Sequence, residues 1–329
     1  MHYMEKRLAC PKVRVLPTGL TTCYDQQGKS ISCPGSGQDA DRLTAHLLTS
    51  RFTIVSSGLV QDNLTGLLWY PQVNAHDFPL TFAEAQDAVM AMNQSKTLGR
   101  SDWRVPARSE LRSILSHGHK NPALPMDHPF THVFLGRYWT STDFSGLPDH
   151  AWYVHLEGAR VFYERKDRYC LVWPVAGNSS MLSWSRGNEV DLPKERFVRQ
   201  PENIIVDQWT GLSWLAQPLR DGGSEQSGIV AWSRALSLVG ELAQATGLAW
   251  RLPDINELES LVDLSRAYPA LSAGHPFTHL GDGFWSSTSS GYDPAWAYVL
   301  YLGKGAVGVG FKINADFLAW PVLRPSCPK

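Results

Sequence analysis

The chain has 329 residues, 43% of them hydrophobic and 19% charged, with a formal net charge of -1. That length suits about two domains with buried cores of their own, and the apolar content excludes wholesale disorder. No run of 18 or more apolar residues occurs, so no membrane-spanning helix is expected, and the near-neutral charge removes any general electrostatic reason to bind nucleic acid or anionic lipid.

The first 50 residues read as a leader. Its opening, MHYMEKRLACPKVRV, lacks the apolar core of a signal peptide. In TTCYDQQGKSISCPG, Asp25 and Gly28 lie between two short Thr/Ser/Ile stretches, which is a hairpin pattern. Nine residues separate Cys23 from Cys33, a spacing that suits a disulfide clamping the hairpin. Two free thiols are the alternative, and without CxxC spacing zinc is a poor reading. Cys10 and Cys327 lie near the two ends and pair only if the termini meet, which leaves Cys170 as the odd thiol. A disulfide implies an oxidising, extracytoplasmic compartment.

After the leader, Leu59–Gln61 and Leu67–Tyr70 predict strands flanking a turn that carries Asp62, Asn63 and Gly66. A helix is expected over 81–94. Thr81 and Glu84 give a capping-box pattern, and Phe82, Ala85, Val89 and Met92 form an apolar stripe. A second, short helix is expected near 108–116, with Ala107 where a capping side chain would stand. The segments AWYVHLEG, ARVFYE and CLVWPV then alternate apolar and polar residues, as short antiparallel strands do.

This whole unit recurs. DNLTGLLW (62–69) returns as DQWTGLSW (207–214) at an offset of 145, and DWRVPARSELRSIL (102–115) as AWRLPDINELESLV (249–262) at 147. HPFTH (128–132) returns at 275–279, YWTST (138–142) as FWSST (284–288), and WPV (173–175) at 320–322. The chain therefore divides into the leader (1–50), copy one (51–176), a linker (177–195), copy two (196–324) and a tail (325–329). The helices recur near 231–246 and 255–263, the latter begun by Asp254 and Glu257. Each copy is expected to be an α+β domain with about two helices and short twisted antiparallel strands.

The order DN-x-TGLLW, helix, WR-x-P-x-x-x-EL, PAL, HPF, YW-[ST]-ST, AWY-V, G-x-V, Lys, WPV resembles the Lcl C-terminal domain family, and the Cys-containing leader resembles segments found before such domains. The order also resembles C-type-lectin-like folds, including those of formylglycine-generating enzymes. The resemblance implies secreted or surface-attached bacterial proteins that bind ligands, with glycan binding inferred for some members, and it implies no single reaction. A glycan or a surface protein is the expected partner, and no cofactor is expected.

The 13 tryptophans are the compositional oddity, and they suggest either sugar-stacking platforms or a Trp-built core. Ten fall in repeat pairs: Trp69/Trp214, Trp103/Trp250, Trp139/Trp285, Trp152/Trp296 and Trp173/Trp320. Positions kept through divergence of two copies are read as scaffold. Trp184, Trp209 and Trp232 are unpaired and more open to a surface role. Arg104/Glu110 and Arg251/Glu257 are read as structural ion pairs. In HPFTH the proline after the first His and the missing Glu argue for a loop carrying a core Phe rather than a metal site. The YWTST hydroxyls have no nucleophile elbow, so no catalytic residue is assigned.

Binding residues are sought where the copies differ. Copy one gathers Phe144, His150, Arg160, Tyr163, Arg165, Lys166 and Arg168, and copy two offers Tyr292, Lys304 and Lys312. An enzyme related to formylglycine-generating proteins and an architectural subunit of a surface assembly are the rival readings.

Overall fold

The computed structural model describes residues 15–42, 51–179, 195–221 and 228–324. Cys10, Trp184, Cys327, the tail and most of the linker lie outside the described residues.

The leader forms a two-stranded hairpin, β1 (Cys23–Tyr24) and β2 (Ser30–Ile31), closed by the Cys23–Cys33 disulfide. Copy one contributes β3 (Phe52–Ile54), β4 (Val60–Asp62), β5 (Leu68–Trp69), α1 (Phe82–Gln94), α2 (Arg108–Ser113), β6 (Arg137–Asp143), β7 (His150–His155), β8 (Arg160–Arg165) and β9 (Val175–Ala176). Copy two repeats the order as β10 (Phe197–Gln200), β11 (Ile204–Asp207), β12 (Ser213–Leu215), α3 (Trp232–Thr246), α4 (Ile255–Ser260), β13 (Gly283–Ser289), β14 (Trp296–Tyr301), β15 (Ala306–Phe311) and β16 (Val322–Leu323). Each copy is α+β, with two helices and antiparallel strands, as the sequence predicts.

Local chemistry sets the helix starts. Thr81 accepts from the Glu84 amide at 3.3 Å while Glu84 accepts from the Thr81 amide at 2.8 Å, and Asp254 with Glu257 makes the same reciprocal pair. At α2 only half of the box survives, because Ala107 has no oxygen to offer. Glu110 still accepts from the Ala107 amide at 2.8 Å, and Thr142 takes the Arg108 amide at 3.0 Å. Glu110 and Glu257 are fully buried and bind Arg104 and Arg251 with both oxygens, so these are structural pairs.

Tryptophan builds the scaffold. Trp139 and Trp285 donate their indole N–H to the carbonyls of Leu80 and Val230, both at 2.8 Å, and Trp173 and Trp320 donate to Tyr70 (3.0 Å) and Leu215 (2.8 Å). Phe130 and Phe277 of the HPF motifs pack edge-on against Trp173 and Trp320, so that motif does carry a core Phe. Trp69, Trp103, Trp214 and Trp250 are buried too. Trp209 and Trp232 are also buried, so neither has the surface role left open to it.

One tryptophan pairing is corrected by register. Tyr138 faces Val154 as Phe284 faces Leu300, and Thr140 donates to the Trp152 carbonyl as Ser286 donates to that of Tyr298. The counterpart of Trp152 is therefore Tyr298, and the counterpart of Trp296 is His150. Trp152 is buried beneath the Arg108 guanidinium, 4.0 Å from its carbon to the ring centroid, whereas Trp296 is partly exposed.

The copies are joined through one six-stranded antiparallel sheet in the order β13-β14-β15-β8-β7-β6. Val161 of β8 pairs with Val307 of β15, its own equivalent, so the two copies are related by an approximate two-fold. Their cores run together across this seam. The same relation brings Arg112 onto Glu259, the equivalent position on α4. Glu259 accepts from Arg112 Nε at 2.7 Å and from Arg108 Nη2 at 2.8 Å. The leader crosses the seam as a strap: the Thr18 carbonyl accepts from the His117 amide at 2.8 Å, and that of Leu16 from Asn256 at 3.0 Å.

Candidate functional site

The sequence-predicted binding residues do not form one patch. Phe144 is 1% exposed and stacks on Tyr163 with centroids 3.8 Å apart and planes 4° from parallel, so it is a core residue rather than a contact for ligand. His150 packs against the edge of Tyr163 and pairs with Asp149 at 2.8 Å. Lys312 is fully buried under the leader, which likewise removes it from the binding surface. On the exposed part of β8 and the turn after it, Arg165 pairs with Asp167 at 2.7 Å, Lys166 with Asp143 at 2.8 Å, and Arg168 reaches Asp167 at 4.0 Å. Such exposed pairs are screened and individually weak. Lys304 is exposed in the turn between β14 and β15.

Arg160 and Tyr292 do come together. They line a groove at the seam between the copies with Gly158, Ser290, Asp293, Trp296 and Val309, enclosing about 410 Å³, inside the roughly 300–1,000 Å³ range of small-ligand clefts. Tyr292 is 46% exposed. Trp296 leans on Phe311 with centroids 5.2 Å apart and planes at 44°. Two aromatic rings, a guanidinium, a carboxylate and a hydroxyl thus converge on one concavity.

The groove exists because the copies differ. The loops 143–150 and 289–296 are of equal length, and Phe144 and Ser290 make the same hydrogen bond at their starts, to the carbonyls of His150 (3.0 Å) and Trp296 (2.9 Å). By the two-fold, Phe144, Gly146, His150, Tyr163 and Lys304 stand where the groove has Ser290, Tyr292, Trp296, Val309 and Gly158. In that half the Phe144–Tyr163 stack fills the space. A side chain at Gly146 would meet Phe144, since a Cβ there lies 2.6 Å from the ring. Replacing the stacked rings by Ser290 and Val309 empties the corresponding volume in the other half, and Tyr292 and Trp296 then face it.

The family profile of the Lcl C-terminal domain matches residues 58–176 and again 203–323. The chain belongs to the Lcl C-terminal domain family. No curated protein matches it.

In this Lcl C-terminal tandem, two buried side chains of types that often carry chemistry, Cys170 and His117, are held uncharged at neutral pH. Burial pushes the thiol of Cys170 up to about 12, so it stays protonated at neutral pH and is a poor nucleophile. His117 lies buried beside Arg112, and burial followed by that guanidinium takes its pKa down to about 3. Among the described residues no group of three or more His, Cys, Asp or Glu is placed to hold a metal ion, and no helix is long and apolar enough to cross a membrane.

Ser290, Asp293 and Trp296 escape a reading of the sequence. The signal that finds them is the 146-residue register of the sheets, under which Trp296 aligns with a histidine and ceases to be a scaffold position.

Proposed function

We propose that this tandem is a non-catalytic, extracytoplasmic ligand-binding protein of C-type-lectin-like type, and that a saccharide binds in the groove of Tyr292, Trp296, Arg160 and Asp293. The observation that carries this reading is the pairing of Tyr292 and Trp296 around an open volume whose two-fold counterpart is filled by Phe144 and Tyr163. Aromatic faces cover the apolar C–H faces of a sugar ring while Arg160, Asp293 and Ser290 meet its hydroxyls, so stacking and hydrogen bonding act on one ligand. The Cys23–Cys33 disulfide supports an oxidising compartment. A printed glycan array tests the reading. Binding that disappears in Trp296→Ala and Tyr292→Ala, with the fold intact by circular dichroism, is expected; a blank array with the wild-type chain overturns it.

A surface-protein partner is the second reading, favoured by Arg165 and Arg168 sharing the single carboxylate of Asp167 beside Tyr169, which is exposed. An Arg165→Glu/Arg168→Glu variant that leaves array binding intact but loses a co-purifying partner separates the two.

A further inference from the structure

The loop from Ser290 to Ala295 delivers Tyr292 and Asp293 to the groove and ends at Trp296, yet much of what holds it lies outside copy two. From copy one, the His117 carbonyl accepts from the Gly291 amide at 3.1 Å, and Lys120 donates to the Tyr292 carbonyl at 3.1 Å. From the leader, Gly28 presses onto the main chain of Ala295 so closely that a Cβ at Gly28 would lie 2.7 Å from the Ala295 nitrogen. Gln26 of the same turn donates to Ser233 of α3 at 2.6 Å.

Beneath that contact lies Lys312. Its Nζ donates to Ser289 Oγ at 2.7 Å and to the main-chain carbonyls of Asp25 (3.1 Å) and Tyr24 (3.5 Å). It also stands 4.1 Å from the centroid of Trp232 and 5.9 Å from that of Tyr24. Its equivalent in copy one, Lys166, sits 5.2 Å from the Phe82 ring, but there Asp143 supplies a carboxylate at 2.8 Å. Ser289 replaces that carboxylate in copy two, so a neutral hydroxyl and the two leader carbonyls share the ammonium. Burial pushes the pKa of Lys312 down to about 7, against the opposing pull of Asp25 on the leader and Asp293 in the groove.

We propose that Lys312 is a positioning residue for the groove: it ties the disulfide-clamped leader hairpin to the start of the Ser290–Trp296 loop, and the docked hairpin holds that loop in its ligand-ready shape. Its functional meaning rests on the saccharide reading; the mechanical coupling does not. The leader is thus a working part of the site, because it braces the one segment that supplies three of the groove's residues, Ser290, Tyr292 and Asp293, and leads into a fourth, Trp296.

Hydrogen exchange on the full chain tests this without any ligand. Three variants are compared with wild type: Lys312→Met, Cys23→Ser/Cys33→Ser, and Gly28→Val, which disturbs the hairpin contact without touching the buried lysine. Peptides covering 289–296 are expected to exchange about tenfold faster in each, while β6 and β7 of copy one keep their protection. A pH series adds a readout that simple loss of packing would not move. The docked value of about 7 lies below the ordinary 10.5, so docking is weakest below pH 7 and strengthens as pH rises toward 10.5. After correction for intrinsic exchange, protection of 289–296 in wild type should rise between pH 7 and 9, and Lys312→Met should flatten that rise. Unchanged protection at 289–296 in the Gly28→Val and disulfide-free variants overturns the proposal. Protection lost in the variants together with a blank glycan array for wild type upholds the coupling and rejects the saccharide.

Discussion

Phe144 and Ser290 stand at the same point of the two copies, each with its amide bound to the carbonyl six residues ahead, yet one is a buried ring and the other a buried hydroxyl residue. That single difference, with Tyr163 against Val309, decides which half of the seam is packed and which is open. Filling the open half with Ser290→Phe/Val309→Tyr should abolish glycan-array binding while leaving the far-ultraviolet circular dichroism of the wild type. The converse change, Phe144→Ala, should cost about 3–5 kcal/mol in urea unfolding, because the stacked Tyr163 and the edge of Trp152 are left facing a cavity.

Glu259 answers two arginines of the other copy. Burial raises its carboxyl, but Arg112 and Arg108 more than offset that and hold it at about 2, below its ordinary 4.5. A carboxylate with a depressed folded value lends stability that is complete above 4.5 and is lost as pH falls through 2. Glu259→Gln should therefore destabilise the tandem by about 3–5 kcal/mol at neutral pH, since it strands buried guanidinium charge. It should also remove part of the acid dependence of wild-type unfolding between pH 4.5 and 2, as followed by denaturant midpoints.

Trp139 and Trp285 perform the same task in the two copies, each donating to a carbonyl just before a long helix. Trp139→Phe and Trp285→Phe should each cost about 1–3 kcal/mol for the lost hydrogen bond and contact area. The two costs should agree more closely with each other than do those of Trp152→Phe and Trp296→Phe, measured by the same thermal melts.

Cys170 should resist modification by a charged thiol reagent in the native state and react only on unfolding, because it is 2% exposed and its thiol remains protonated. Rapid native labelling, or loss of a turnover activity in Cys170→Ser, would favour the enzymatic rival.

What the sequence makes legible is local. Thr81 with Glu84 and Asp254 with Glu257 announce helix starts within four residues, and those helices stand where expected. The disulfide hairpin is legible for the same reason, since Asp25 and Gly28 turn the chain between two nearby cysteines. Register across a sheet is not local. Ala151-Trp152 and Ala295-Trp296 match as letters, but the hydrogen bonds place Ala297 opposite Ser289 as Ala151 is opposite Asp143, two residues further on. Sliding by two keeps the pleat's facing, so alternation alone offers no warning. Arg160 and Tyr292 emerge from sequence because they differ between copies, whereas Lys312 aligns with a second lysine, Lys166, and only the leader sets the two apart. The cation looks surface-bound until a hairpin from the far end of the chain is laid over it.

The Val161–Val307 seam has a consequence for how such a molecule diversifies. Two identical chains joined along that strand would carry identical clefts on both sides of the axis, and any substitution that hollowed one would hollow the other. Covalent fusion frees each half to be edited separately, so one cleft can be sealed with rings to stiffen the joint while its twin is left vacant. The tether converts a symmetric pair into a lopsided one, with one flank packed solid and the other left hollow.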